Sequence, residues 1–127
     1  MASAQAAAVG GRMTITIYHN PACGTSRNTL AAIRASGQEP VIVDYLKAGM
    51  NAEAITGLLV QLGVGPRDIL RRMGTPYDDL GLDDPSWSDA QLIDFMVRHP
   101  VLIQRPIVVT PKGARLCRPM ERVHDIL

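Results

Sequence analysis

Two short β-branched runs with one helix-length segment between them open this chain. Thr14-Ile15-Thr16-Ile17-Tyr18-His19 alternates like a half-buried strand, and Pro40-Val41-Ile42-Val43-Asp44-Tyr45 is a second apolar run. Thr29 to Ala35 reads as the helix that joins them, ended by Ser36-Gly37, with Ser26 or Asn28 placed to cap its start. Two strands joined through a helix lie parallel, with a right-handed crossover.

The rest of the chain follows a different rhythm. Asn51 is placed to cap Ala52–Leu62, whose Ile55, Leu58, Leu59 and Leu62 share one face. Gly63-Val64-Gly65-Pro66 breaks that helix, and Pro66 suits the first turn of Arg67–Met73. Ser88-Asp89-Ala90-Gln91 is a capping box for a helix running to about His99, where Pro100 stops it. Ile107-Val108-Val109-Thr110, Pro111-Lys112-Gly113 and Ala114–Arg118 then make a tight hairpin, and Pro119 opens a last helix to Leu127. The expected fold class is α/β: a thioredoxin-like βαβ…ββα order, with a mixed four-stranded sheet and an all-helical insertion over about 46–103. Residues 13–127 are expected to form a single domain, and the Ala-rich residues 1–12 a disordered leader with no basic start or apolar core to mark a secretory signal.

Composition narrows the function. A formal charge of +1 argues against a general nucleic-acid binder, and no apolar run is long enough to cross a membrane. The two cysteines, Cys23 and Cys117, stand far apart, which is no disulfide framework and fits a reducing, cytoplasmic setting. Two Cys and three His without ligand spacing give no metal site. Of the thirteen basic residues only Lys47 and Lys112 are lysines, and arginine suits bidentate oxyanion binding.

The chemistry gathers at His19-Asn20-Pro21-Ala22-Cys23-Gly24-Thr25-Ser26-Arg27-Asn28, a turn from the first strand into a helix N-terminus. Free backbone N–H groups and the helix dipole ionise a thiol there and seat an oxyanion beside it. Pro21 and Gly24 make a turn around Cys23 rather than a core strand, so Cys23 is the candidate nucleophile. Ser26 stands where a Cys-x-x-Cys pair has its second thiol, so any redox cycle borrows an external thiol. His19 is placed to pair with the thiolate or to steady the network around it. Position 29 is Thr, which excludes the Cys-x5-Arg loop of a phosphatase. Arg105-Pro106 begins the strand Ile107–Thr110, where a thioredoxin-like fold has a cis proline facing the cysteine; the sequence leaves the isomer open. In that topology Arg105, Arg118 and Cys23 reach one sheet edge.

The turn around Cys23, together with Arg67-Asp68-Ile69-Leu70-Arg71, Asp94-Phe95-Met96, His99-Pro100, Arg105-Pro106-Ile107-Val108-Val109-Thr110-Pro111 and Arg115-Leu116-Cys117-Arg118-Pro119, resembles the glutaredoxin-linked arsenate reductase family, from about Thr14 to Leu127. The resemblance implies a thioredoxin-like fold with a helical insertion. It implies reduction of arsenate to arsenite with glutathione as co-substrate, glutaredoxin as protein partner and no bound cofactor. It also implies that Cys23 is catalytic, that His19 assists it, and that Arg71, Arg105 and Arg118 bind the oxyanion. Gly24, Thr25, Ser26 and Pro106 support the turn. The rival reading is a thiol-sensing regulator of the Spx type that binds RNA polymerase. That class shares the Arg-Pro-Ile strand but commonly carries Cys-x-x-Cys and does not need the histidine and three arginines.

Overall fold

Alternation at the start of the chain becomes strand β1, Thr16–His19, with Ile17 and His19 buried. The computed structural model describes residues 14–127, so the leader expected over residues 1–12 lies outside them. Contacts divide the chain into two units, one built from residues up to Asp44 together with Arg105–Leu127, the other from Tyr45–Gln104.

The first unit holds a four-stranded sheet in the order β2-β1-β3-β4, with β2 at Val41–Asp44, β3 at Ile107–Thr110 and β4 at Gly113–Leu116. β1 and β2 pair in parallel, with Thr16 opposite Val41 and His19 opposite Asp44. β3 runs antiparallel to β1, Ile17 facing Val108, and β4 antiparallel to β3, Ile107 facing Leu116. The sheet is therefore mixed, and the α/β thioredoxin-like class expected from the sequence is the class observed. Helix α1, Gly24–Ala35, makes the crossover from β1 to β2. Its buried Ile33 joins Ile15, Ile17, Val108, Cys117, Val123 and Ile126 in one apolar cluster, with Leu30 and Ala32 packed against it. At about 25 cal/mol per Å² of apolar surface, this burial is what holds the helix on the sheet.

Three details differ from the sequence reading. α1 starts at Gly24, so Cys23 is itself the N-cap, with extended backbone and no side-chain cap. Ser26 and Thr29 are therefore inside the helix and buried, and neither Ser26 nor Asn28 caps it. The last helix is a 3-10 helix, Met120–Asp125, with Val123 as its buried residue and Ile126 as its C-cap. Pro66 opens a 3-10 turn, Pro66–Ile69, shorter than the helix expected to Met73. The hairpin forms where the sequence places it, with Gly113 opening β4 rather than closing the turn and β4 ending at Leu116: Pro111-Lys112 connect β3 to β4, and Thr110 Oγ1 accepts the Lys112 N–H at 3.0 Å while donating to Ile126 O at 2.7 Å. The Arg105–Pro106 and Arg118–Pro119 peptide bonds are both cis.

The second unit consists of helices α2 (Tyr45–Ala48), α3 (Ala52–Leu62) and α4 (Asp89–Arg98), with 3-10 turns at Pro66–Ile69 and Pro100–Leu102. Asn51 caps α3 by accepting the Ala54 N–H at 2.8 Å, and Gly63 ends it at φ 72°, a left-handed conformation that costs glycine nothing. Ser88 and Gln91 form the reciprocal capping box of α4. The acidic stretch between α3 and α4, with Asp78, Asp79, Asp83 and Asp84, is tied down by cations: Arg67 donates to Leu82 O and Asp84 O, and Arg72 pairs with Asp78. Among the described residues no helix is long and apolar enough to cross a membrane.

Candidate active site

Each residue of the cysteine turn is fixed by a bond that the sequence makes locally available. Asn20 accepts the Ala22 N–H on Oδ1 at 2.9 Å and the Cys23 N–H on its backbone carbonyl at 3.0 Å, and Arg27 closes the first helical turn by donating its N–H to Cys23 O at 3.0 Å. Asn20 is a site residue that sequence reasoning passed over; the Asn-Pro pair, a turn initiator, was the signal. Arg27 turns away from the sulfur, its Nη1 donating to Pro21 O at 2.9 Å.

Cys23 is partly exposed at the helix start. Burial alone pushes its thiol up. The Ser26 backbone N–H, then the guanidinium groups of Arg105 and Arg118, more than offset that, and the thiol comes down from 9.0 to about 7. Arg118 Nη1 lies 3.8 Å from the Cys23 sulfur and also donates to Arg105 O at 3.0 Å, which joins the end of the hairpin to the start of β3. Arg105 Nε is buried and has no hydrogen-bond partner. A guanidinium donor buried without an acceptor costs free energy, and an anion's oxygen beside it would recover that cost.

His19 does not reach the sulfur by a hydrogen bond. Its Nδ1 meets Ser26 Oγ at 2.7 Å, and Ser26 Oγ also accepts the Asn20 N–H at 3.1 Å. Burial lowers the His19 pKa, Asp44 across the strand pair raises it, and Arg27 and Arg34 lower it further. The structure thus gathers Cys23, Ser26, Arg105 and Arg118, with His19 joined through Ser26. Gly24 and Thr25 fill the first turn of α1, and Pro106 is buried, its carbonyl accepting the Cys117 N–H at 2.9 Å. Arg71 belongs to the second unit, where its Nε donates to Met73 O at 3.1 Å and its Nη1 to Gln104 Oε1 at 3.3 Å.

Cys117 is a core residue, fully buried, and burial pushes its thiol up to about 12, which keeps it protonated. Among the described residues no group of three or more His, Cys, Asp or Glu is placed to hold a metal ion.

Sheet order, with a thiol lowered by its surroundings at the start of α1, defines the class as a thioredoxin-like α/β protein. The chain belongs to the ArsC family, whose sequence profile matches residues 18–126. Among curated relatives, a protein of Acidiphilium multivorum named arsenate reductase is 56% identical over 113 residues, 89% of this chain and 80% of that protein. An arsenate reductase of Escherichia coli is 57% identical over the same shares of the two chains. A solved arsenate reductase from Vibrio cholerae superposes with a TM-score of 0.87 at 41% identity, covering 91% of this chain and 98% of that one.

Proposed function

We propose that this chain is an arsenate reductase with Cys23 as its nucleophile. One observation carries the reading: a thiol at about 7, flanked by Arg105 and Arg118, in a chain more than half identical to proteins named arsenate reductase. In the reaction, the Cys23 thiolate attacks arsenic, an S–As bond forms, and one oxygen takes up protons and leaves as water. Arsenic is still pentavalent at this point. Arg71, Arg105 and Arg118 hold the oxyanion and offset the charge that builds up as sulfur attacks, and His19 supports the cysteine turn. The buried, unpartnered Nε of Arg105 favours this assignment, because an arsenate oxygen would accept from it.

Reduction needs two electrons, and the site supports an external source for both. Ser26 offers no second thiol, and Cys117, held protonated in the core, is no resolving partner. We assign the donors as glutathione and glutaredoxin. The glutathione sulfur displaces a second oxygen as water, giving Cys23–S–As–S–glutathione. A glutaredoxin thiolate then attacks the glutathione sulfur. The As–S bonding pair stays on arsenic, which becomes trivalent, and glutathione leaves as a mixed disulfide on glutaredoxin. Water releases arsenite from Cys23. These donors place the protein in a reducing compartment, which we take to be the cytoplasm.

The test is arsenate-dependent oxidation of NADPH in the presence of glutathione, glutaredoxin and glutathione reductase. Wild type is expected to turn over and Cys23→Ser to give no turnover above background. Absence of turnover by folded, fully reduced wild type overturns the reading.

A further inference from the structure

We infer that His19 is a positioning residue, which acts on Cys23 through Ser26 as a fixed hydrogen-bond acceptor rather than by exchanging a proton with the sulfur. The inference rests on Cys23 being the nucleophile of the proposed reaction, and it concerns how the turn holds that thiol ionised.

Ser26 is fully buried, so its hydroxyl must find its partners in the protein. Two groups meet the oxygen: the Asn20 N–H at 3.1 Å and His19 Nδ1 at 2.7 Å. The amide can only donate. The hydroxyl proton therefore goes to Nδ1, which must be unprotonated, and the ring proton sits on Nε2. The charged groups acting on the ring are Asp44 on β2 and Arg27 and Arg34 on α1; with burial the largest influence, the net result favours the neutral ring.

This bond ties the last residue of β1 to the first turn of α1 and so brackets Asn20-Pro21-Ala22-Cys23. The backbone N–H that it holds in place, that of Ser26, is the largest of the influences that lower the Cys23 thiol. Protonating Nδ1 would aim two N–H groups at one oxygen and leave the buried Ser26 O–H without an acceptor. A charged His19 would thus loosen the turn, whereas a His19 acting directly on sulfur would stabilise the thiolate by its charge. The two roles make opposite demands on the residue at position 19.

The test measures the pH dependence of Cys23 alkylation by iodoacetamide, read by mass spectrometry on the reduced protein, with circular dichroism to establish folding. His19→Asn keeps an amide acceptor where Nδ1 stands and carries no charge; His19→Gln moves the amide to the Nε2 position. The Cys23 pKa is expected to stay near about 7 in His19→Asn. In His19→Gln and in Ser26→Ala it is expected to rise by about one unit, seen as roughly tenfold slower alkylation at pH 6, and the Ser26→Ala/His19→Gln double variant should be no worse than either single one. Equal rises in the Asn and Gln variants would assign His19 a direct charge on sulfur and overturn the inference, and so would no rise in any variant. The 15N shifts of the His19 ring in unaltered protein supply a second measurement: an Nε2–H tautomer at pH 7 supports the inference and a protonated Nδ1 overturns it. Neither measurement involves arsenate, so failure of the reductase assay and failure of this inference are separate results.

Discussion

Replacing Arg118 with Met isolates the electrostatic part of the site. The substitution keeps most of the aliphatic stem and removes one positive charge whose Nη1 lies 3.8 Å from the Cys23 sulfur. Two unit charges at about 4 Å interact by ~1 kcal/mol in water and about 4 kcal/mol at the effective dielectric of a protein surface. Cys23 is partly exposed and Arg105 and the helix N-terminus remain, so the lower figure applies, and it corresponds to a pKa rise of about 0.7 unit. With the thiol raised by that amount from about 7, the ionised fraction at pH 7 falls from about half to about a sixth. Iodoacetamide should therefore modify Cys23 roughly threefold more slowly at pH 7 and at an unchanged rate near pH 10, where the thiolate is complete in both proteins. Added salt should narrow the difference, because the charge pair is reachable by solvent. Arg122→Met is the control: Arg122 is exposed, and its field acts on Cys117. A Cys23 pKa in Arg118→Met that moves by less than about 0.3 unit, or that moves as far in the control, would refute the claim that this guanidinium keeps the thiol ionised and leave the Ser26 amide as the whole cause.

Other outcomes follow from the same geometry. Cys117→Ala should retain arsenate turnover and lose about 1 kcal/mol of stability to a small cavity, measured by urea unfolding; a matching loss of turnover would return Cys117 to the mechanism. Native protein should react with a chromogenic disulfide at one cysteine and unfolded protein at two, since Cys117 is buried with its thiol pushed up to about 12. That raised pKa also fixes a sign: below pH 9 the group is protonated in both states, and between pH 9 and about 12 only the unfolded chain ionises. Stability should therefore fall with rising pH in that window, and less steeply in Cys117→Ala, which pH-dependent urea titrations would show. Asn51→Ala removes the α3 cap and should cost about 1 kcal/mol in thermal unfolding without changing Cys23 alkylation.

What the sequence makes legible here depends on how local the cause is. The Asn51 cap, the Ser88–Gln91 box and the tight turn between β3 and β4 each involve residues within four positions of one another, and each appears in the structure, the turn with Gly113 taken into β4. The start of α1 is harder, because two signals compete. Ser26 and Asn28 are good caps by residue type, yet Ser26 and Thr29 are drawn into the helix, where they are buried, and Cys23 is left as N-cap with no side-chain bond. Propensity loses to burial, and with the helix starting at Gly24 the Ser26 N–H acts on the Cys23 sulfur. The turns of the acidic stretch depend on Arg67 reaching carbonyls at Leu82 and Asp84, a separation that no periodicity reports.

The site shows the same division between short-range and long-range causes. Sequence places Cys23 at the helix start by motif, but the lowering of its thiol draws on Arg105 and Arg118, 82 and 95 positions away, and those become neighbours only through the β2-β1-β3-β4 order. The antiparallel β1–β3 pairing brings the start of β3 to the end of β1, and the hairpin returns residue 118 to the same end. Without β3 and β4 docked on β1, the turn would keep all its own residues and lose both cations. The thiol would then rise toward its ordinary value even though every residue from His19 to Asn28 is unchanged. The lowered thiol of Cys23 is in this sense a property of the sheet order as much as of the turn that carries it.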